Sequence, residues 1–270
     1  MAASPAPGTA GYVYPIGTPG SAWGAEERAQ WLARVGPPRR LYAEHVLAKL
    51  EPLRESFDVE QYGLLDYSSV VAGGFGARYP LMCVKSRGWS ADRPTVLITG
   101  GVHGYETSGV QGVLSFVREK MGSFVDRANF LVAPCVSPWG YEHIQRWTCA
   151  ALDPNRGFHE GTQVEECAAL RRLIAAAGAD FLMHVDCHET TDSDETEFTP
   201  AKQARDGKVY TPEAIPDGVR APPAAARPPT SPRRRSPAPT PFSPPPPPTP
   251  ARSFTSWATP PTRSTRGTRR

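Results

Sequence analysis

His103 and Glu106 stand three residues apart, directly after an apolar run and two glycines, in Thr95-Val-Leu-Ile-Thr-Gly-Gly-Val-His-Gly-Tyr-Glu106. Imidazole nitrogen and carboxylate oxygen are both ligands for a divalent metal, and a hydrolytic zinc site takes about three such protein ligands while leaving one position open for water. The third candidate is His188, in Phe181-Leu-Met-His-Val-Asp-Cys-His188. Along an extended strand the period of two puts His184, Asp186 and His188 on one face. Of these, His188 lies nearest the carboxyl end, so His184 reads as a packed or hydrogen-bonded histidine. A lone His-x-x-Glu is a weak signal. It gains weight here because both halves fall at strand ends, where ligands bind in open α/β sheets.

The elements that must position these groups follow from apolar periodicity. Val96 to Ile98 is continuously apolar and mostly β-branched, as expected of a strand buried on both faces of a parallel sheet. Gly100 and Gly101 then allow a sharp turn close to a bound group. Val110, Leu114, Val117 and Met121 form a helical stripe that can lie on the sheet. Phe130 to Val136 is a further strand, ending in a turn over Ser137-Pro-Trp-Gly-Tyr141 and followed by a short helix through His143 to Trp147. A loop then carries Asp153-Pro-Asn-Arg156, a helix spans about Val164 to Ala177, and a strand covers Phe181 to Cys187. Upstream, helices are expected over Ala25 to Val35 and Arg40 to Phe57, the latter interrupted by Pro52. Strands over Tyr62 to Val71 and Tyr79 to Val84 should form a hairpin around Gly73-Gly-Phe-Gly76. Alternation of strand and helix over residues 94–190 predicts an α/β fold: a mixed, mostly parallel twisted sheet with helices on both faces.

Composition divides the 270 residues into three parts. Residues 1–25, rich in Gly, Pro, Ala and Ser, read as a flexible N-terminal arm without chemistry, and residues 26–217 as the catalytic domain. Within it, residues 191–217 are polar and acidic, read as an active-site loop leading to a strand or turn near Val209-Tyr210. Residues 218–270 read as a disordered Pro/Arg-rich tail, because 16 of the 31 prolines fall there and aliphatic residues almost vanish. The tail holds ten arginines and no acid, which leaves 20 of the 30 basic residues against all 27 acidic ones in residues 1–218, a net of −7. The overall charge of +3 therefore belongs to the tail, and the folded part is not expected to bind nucleic acid. Arg233 to Arg235 and the run Pro244 to Pro248 could serve as a localisation signal or a ligand for an SH3-type partner, against the simpler reading of a solvated tail. Five scattered cysteines without a CxxC read as reduced thiols. No secretory signal and no run of about 20 apolar residues is seen, so a cytoplasmic setting away from membranes is expected.

The pattern resembles the zinc carboxypeptidases of the carboxypeptidase A and B type. The resemblance rests on Gly-Gly-Val-His103-Gly-Tyr-Glu106, on Val136-Ser-Pro-Trp-Gly-Tyr141, on Arg146 followed by Asp153-Pro-Asn155-Arg156-Gly-Phe158, and on Asp186-Cys-His188, in that order over about residues 95–190. Taken singly, Asp-Pro-Asn-Arg is a turn with a surface arginine and Arg146 a complement to a helix dipole; four motifs in one order argue for more. The resemblance implies that His103, Glu106 and His188 hold one catalytic zinc ion whose bound water is the nucleophile. It also implies that Arg146 polarises the scissile carbonyl, that Asn155 and Arg156 grip the terminal carboxylate of a peptide or protein substrate, and that Asp153 orients His103 through its other ring nitrogen.

The pattern departs from the family at Gly157, where asparagine is usual, and at Pro138-Trp-Gly140. The general-base glutamate and substrate-capping tyrosine of such enzymes belong to the region where this chain has its tail. Glu189 is expected to face away from the site, and Glu195 or Glu197 could reach it only from a loop. The change near Gly218-Val219 reads as a splice variant or shifted frame in preference to a genuine extension, leaving an incomplete catalytic domain with an exposed sheet edge and marginal stability. The competing functional readings are a deacylase of the aspartoacylase or succinylglutamate desuccinylase type, which shares the Gly-Gly-x-His-Gly-x-Glu and Asn-Arg layout, and a catalytically inactive zinc-binding or interaction protein.

Overall fold

The computed structural model describes residues 14–70, 77–189 and 194–210. Its centre is a five-stranded sheet in the order β1-β2-β4-β3-β5, formed by β1 (Asp58–Asp66), β2 (Arg78–Lys85), β3 (Thr95–Gly100), β4 (Asn129–Ala133) and β5 (Phe181–Cys187). The two pairings that involve β3, with β4 and with β5, are parallel, while β1 with β2 and β2 with β4 are antiparallel. Four strands therefore run one way and β2 runs against them, a mixed α/β sheet.

Strand residues alternate between two apolar layers, which is why β3 and β4 carry unbroken apolar runs. Val96, Ile98, Phe130 and Val132 pack with α1 (Ala25–Arg34), α3 (Thr107–Glu119) and the helical stretch Ala43–Glu55, which includes α2 (Ala48–Leu50). Leu97, Leu131 and Ala133 face the other way, onto Leu170 and Leu173 of α5 (Glu165–Ala177). The remaining helices are α4 (Pro138–His143) and α6 (Thr199–Asp206). No described helix is long and apolar enough to cross a membrane, and all five cysteines are free thiols, four of them buried.

Several local expectations are corrected. The hairpin forms, but β1 begins at Asp58 and stops at Asp66, ahead of the expected Tyr62–Val71; its glycine loop lies outside the described residues. The helix placed at His143–Trp147 lies five residues earlier, because Pro138 supplies the pre-set φ of a first helical turn and Ile144, at φ 54°, closes it in the left-handed region. Residues 194–206, read as loop, are helical: a π-turn at Asp194–Phe198 runs into α6, and no strand is found at Val209-Tyr210. Of the expected arm, residues 14–25 are described and are anchored at two points, with Ile16 and Trp23 in the core and most of the others exposed. Trp23 meets Trp147 edge-on at 6.1 Å, and Trp31 lies 5.4 Å from the same ring, so aromatic burial fixes a segment that composition alone marks as mobile. The Pro/Arg-rich tail lies outside the described residues.

Glu166 on α5 is a polar group inside the core. Its Oε1 accepts a hydrogen bond from Tyr67 at 2.7 Å, while Oε2 is buried without a partner among the described residues. Burial is the main influence and pushes the carboxyl up to about 7, with the Tyr67 bond acting in the opposite direction. A folded-state pKa above the unfolded value means that stability is fully present below the unfolded pKa and is lost as pH rises through about 7. Glu166→Gln keeps the shape and the Tyr67 bond while removing the charge. Thermal unfolding followed from pH 5 to 8 should show the wild type losing stability on the order of 1–3 kcal/mol relative to the variant; parallel curves would refute a buried titrating Glu166.

Candidate metal centre

The turn after β3 carries the first two site residues. Gly101 sits at φ +61°, in the left-handed region that glycine alone adopts without strain. Gly104 passes so close to α4 that an added Cβ would lie 1.9 Å from the Gly140 carbonyl carbon. Arg40 clamps this turn from outside. Its Nη2 donates to the Gly104 carbonyl at 2.8 Å, its Nε to the Tyr141 carbonyl at 2.7 Å and its Nη1 to the Thr107 hydroxyl. The guanidinium also lies over the Tyr141 ring, 3.6 Å from the centroid. The pattern around His103 gave no hint of this arginine, which lies 64 residues before Gly104.

The parallel pairing of β3 with β5 puts Thr99 opposite Asp186 and Gly100 opposite Cys187, which sets the two strand ends side by side. His103, Glu106 and His188 converge there, with one ligand atom from each lying within 4.8 Å of the others. Glu106 sits between the imidazoles: Oε1 is 2.7 Å from His103 Nδ1 and Oε2 is 2.8 Å from His188 Nδ1. Each Nε2 faces another carboxylate, Asp153 Oδ1 at 3.0 Å for His103 and Asp186 Oδ2 at 2.8 Å for His188. Carboxylates on Nε2 favour a proton there and aim both Nδ1 atoms inward at Glu106, the orientation that metal-binding histidines share. Two imidazoles and a carboxylate suit zinc in donor type, so the residues present fit such an ion.

The electrostatics of the cluster are those of a gathered acid group held by cations. Burial opposes ionisation of Glu106, yet hydrogen bonds from His103 and His188 hold its carboxyl below the ordinary value. Asp153 is likewise held well below the carboxylate range despite burial, by its bond to His103 and the charge of Arg146. Bonds to Asp186 and Glu106 push His188 up to about 10. His184 stays apart from this group. Its Nε2 is 2.8 Å from the Thr99 hydroxyl, and burial lowers its pKa.

The other expected residues lie along the rim. Arg146 Nε reaches Asp153 Oδ2 at 3.3 Å and Nη1 reaches the Tyr105 hydroxyl at 3.3 Å. Asn155 and Arg156 occupy the short 3-10 turn Pro154–Arg156, which Asp153 caps by accepting from the Asn155 amide at 3.0 Å; the Arg156 side chain is exposed. Asp153 thus serves the turn, His103 and Arg146 together. Glu189 points elsewhere, accepting from the Ser108 amide at 2.8 Å and hydroxyl at 2.7 Å at the start of α3. Glu197 is exposed. Phe198, from the segment read as loop, stacks on Tyr105 with centroids 4.7 Å apart, and Tyr105 in turn stacks on His103.

No protein-family model matches the chain. Carboxypeptidase 2 of Trichophyton rubrum is 27% identical over 129 residues, covering 43% of this chain and 23% of the relative. The carboxypeptidase 2 of Trichophyton tonsurans matches at the same level. Over the aligned part the chain is similar to these carboxypeptidases. That carboxypeptidase-like part spans about a quarter of the length of these relatives. Solved metallo-carboxypeptidases from Burkholderia cenocepacia and Pseudomonas aeruginosa align with TM-scores of 0.42 and 0.44, at 20% and 15% identity, over 55% and 54% of this chain and 40% and 39% of theirs.

The geometry separates the two strand histidines. His188→Ala should remove tight zinc binding in competition with a chromophoric chelator, whereas His184→Ala should retain it. Asp153→Asn should weaken it by roughly 10–100-fold through loss of imidazole orientation. Equal losses in the two histidine variants would overturn this ligand set.

Proposed function

We propose that His103, Glu106 and His188 bind one zinc ion and that the site is that of a metallocarboxypeptidase-like hydrolase removing the last residue of a peptide. The supporting observation is the convergence of three ligand atoms from two adjacent strand ends, each histidine being turned inward by its own carboxylate. Zinc held there supplies a Lewis acid and lowers the pKa of coordinated water toward neutrality.

The chain's own residues divide the remaining tasks. Asp153 and Asp186 retain the protons on Nε2 of His103 and His188 and so keep both rings in register. Arg146, tethered by Asp153 and by the Tyr105 hydroxyl, presents fixed positive charge where negative charge develops on the attacked carbonyl oxygen. A donor in that role is worth about 2.7–4 kcal/mol of transition-state stabilisation. Arg156 offers a planar fork to a terminal carboxylate, and Asn155, held by the Asp153 cap, offers an amide beside it.

The zinc-loaded chain should release the terminal amino acid from N-acyl dipeptides, and Arg156→Ala should raise KM at least tenfold with zinc content unchanged, as expected for loss of a charge-assisted contact. Release of the acyl group from N-acyl amino acids, without peptide cleavage, would establish the aspartoacylase or succinylglutamate desuccinylase type instead. One bound zinc with neither reaction would leave a zinc-binding protein and refute the hydrolase.

A further inference from the structure

The helical segment Asp194–Asp206 forms a wall beside the metal cluster. Phe198, Lys202 and Arg205 recur at i, i+4 and i+7, so they share one face of it. Phe198 lies on Tyr105, which fixes that face toward the site, and Ala201 beside it is buried. Arg205 lines a cavity of about 430 Å³ that also takes in Asp153, Arg156 and His159. Lys202 lies one turn nearer Phe198, with Nζ over the Tyr210 ring at 4.0 Å from its centroid.

The charges along this cavity are unevenly matched. Arg205 is paired with Asp206 at 2.7 and 3.2 Å, and Asp153 is shared by His103 and Arg146. Among the described residues, no ion pair involves Arg156 or Lys202. Among the described residues the Arg156 guanidinium donates to the neighbouring Asn155 carbonyl, at 3.3 Å. Burial, followed by the nearby guanidiniums of Arg156 and Arg146, pushes the Lys202 ammonium below the ordinary lysine value. Asp153 and Asp206 offset these charges only in part, each being already engaged by another cation, and like charges gathered beside an open cavity are relieved by an anion. The proposed hold on a terminal carboxylate uses Arg156 and leaves Lys202 over. A terminal Asp or Glu carries a second carboxylate on the same residue, within a side chain's reach of the first.

We infer that the site selects peptides ending in Asp or Glu, with Lys202 receiving the side-chain carboxylate while Asn155 and Arg156 hold the terminal one. This inference rests on the carboxypeptidase reading of the same site. The test is calorimetric binding, to the zinc-loaded chain, of N-acetyl dipeptide analogues that end in Glu or in its neutral isostere Gln and carry a non-hydrolysable ketomethylene link in place of the scissile amide. The Glu peptide should bind roughly tenfold tighter, the size of one charge-assisted contact. Lys202→Met should abolish that difference while leaving zinc stoichiometry and affinity for the Gln peptide unchanged. Equal binding of the two peptides to the wild type would overturn the acidic selectivity and leave the carboxypeptidase reading intact. A preference that survives in Lys202→Met would remove Lys202 from the role. Binding of neither peptide, with zinc in place, would overturn the carboxypeptidase reading and this inference with it.

Discussion

One buried carboxylate organises the site. Glu106 takes an imidazole nitrogen on each oxygen, one from its own turn and one from a strand 82 residues away in sequence. A buried carboxylate lacking such partners would lose several kcal/mol of solvation. The fold therefore has to deliver both histidines to it, and most of the local architecture serves that delivery. The parallel register of β3 and β5 brings the strand ends level, Gly101 turns the chain back, and Arg40 fixes the turn against α4. Three carboxylates, of Glu106, Asp153 and Asp186, crowd two imidazoles and one guanidinium. That acid-rich donor set is what a divalent cation complements, and each carboxylate beyond Glu106 also orients one ring.

How much of this could be read from the sequence depends on the range of the interaction. The cluster itself was legible, because His103 and Glu106 are local and His188 sits at the end of a strand whose period of two is visible in the residue types. The sheet core was legible for the same reason: unbroken apolar runs at β3 and β4 require cover on both faces, and both faces are covered. Arg40 was not, since a clamp between a preceding segment and two carbonyl oxygens leaves no pattern near the groups it holds. The helix at residues 194–206 was missed because its composition is polar. Among its described side chains it buries Phe198 and Ala201, too few apolar positions to make a stripe. Trp23 was missed because glycine and proline around it suggested an arm, although a single tryptophan can bury enough surface to fix such a segment.

Those two misread segments meet. The Trp23 amide donates to the Arg205 carbonyl at 2.8 Å, and the Arg205 guanidinium lies over the Trp147 ring, 4.4 Å from its centroid. Trp147 directly follows Arg146, so the aromatic cluster of Trp23, Trp31 and Trp147 supports the backbone from which the rim arginine projects. Residues that look peripheral in composition thereby support one wall of the site. The chemistry of the candidate ligands is encoded in short local patterns, whereas the shape of the space around them depends on packing between distant segments.

The two halves of the cluster are unequally supported. β3 is paired on both sides, by β4 and β5, and its turn is clamped by Arg40. β5 is, with β1, one of the two edge strands among the described residues; it pairs there only with β3, and its Leu182 and Met183 are 64% and 50% exposed. Edge strands open more readily than central ones. What holds His188 in place is therefore mainly the side-chain chain at the end of β5, in which Thr99 donates to Asp186 at 2.6 Å and Asp186 and Glu106 take the two ring nitrogens. A cation bound by all three ligands would add its binding free energy to that one-sided pairing, since ligand affinity for the folded state alone is stability gained. The candidate ligands and the sheet edge are in that sense one structural problem: the contacts that shape the site also retain its least supported strand.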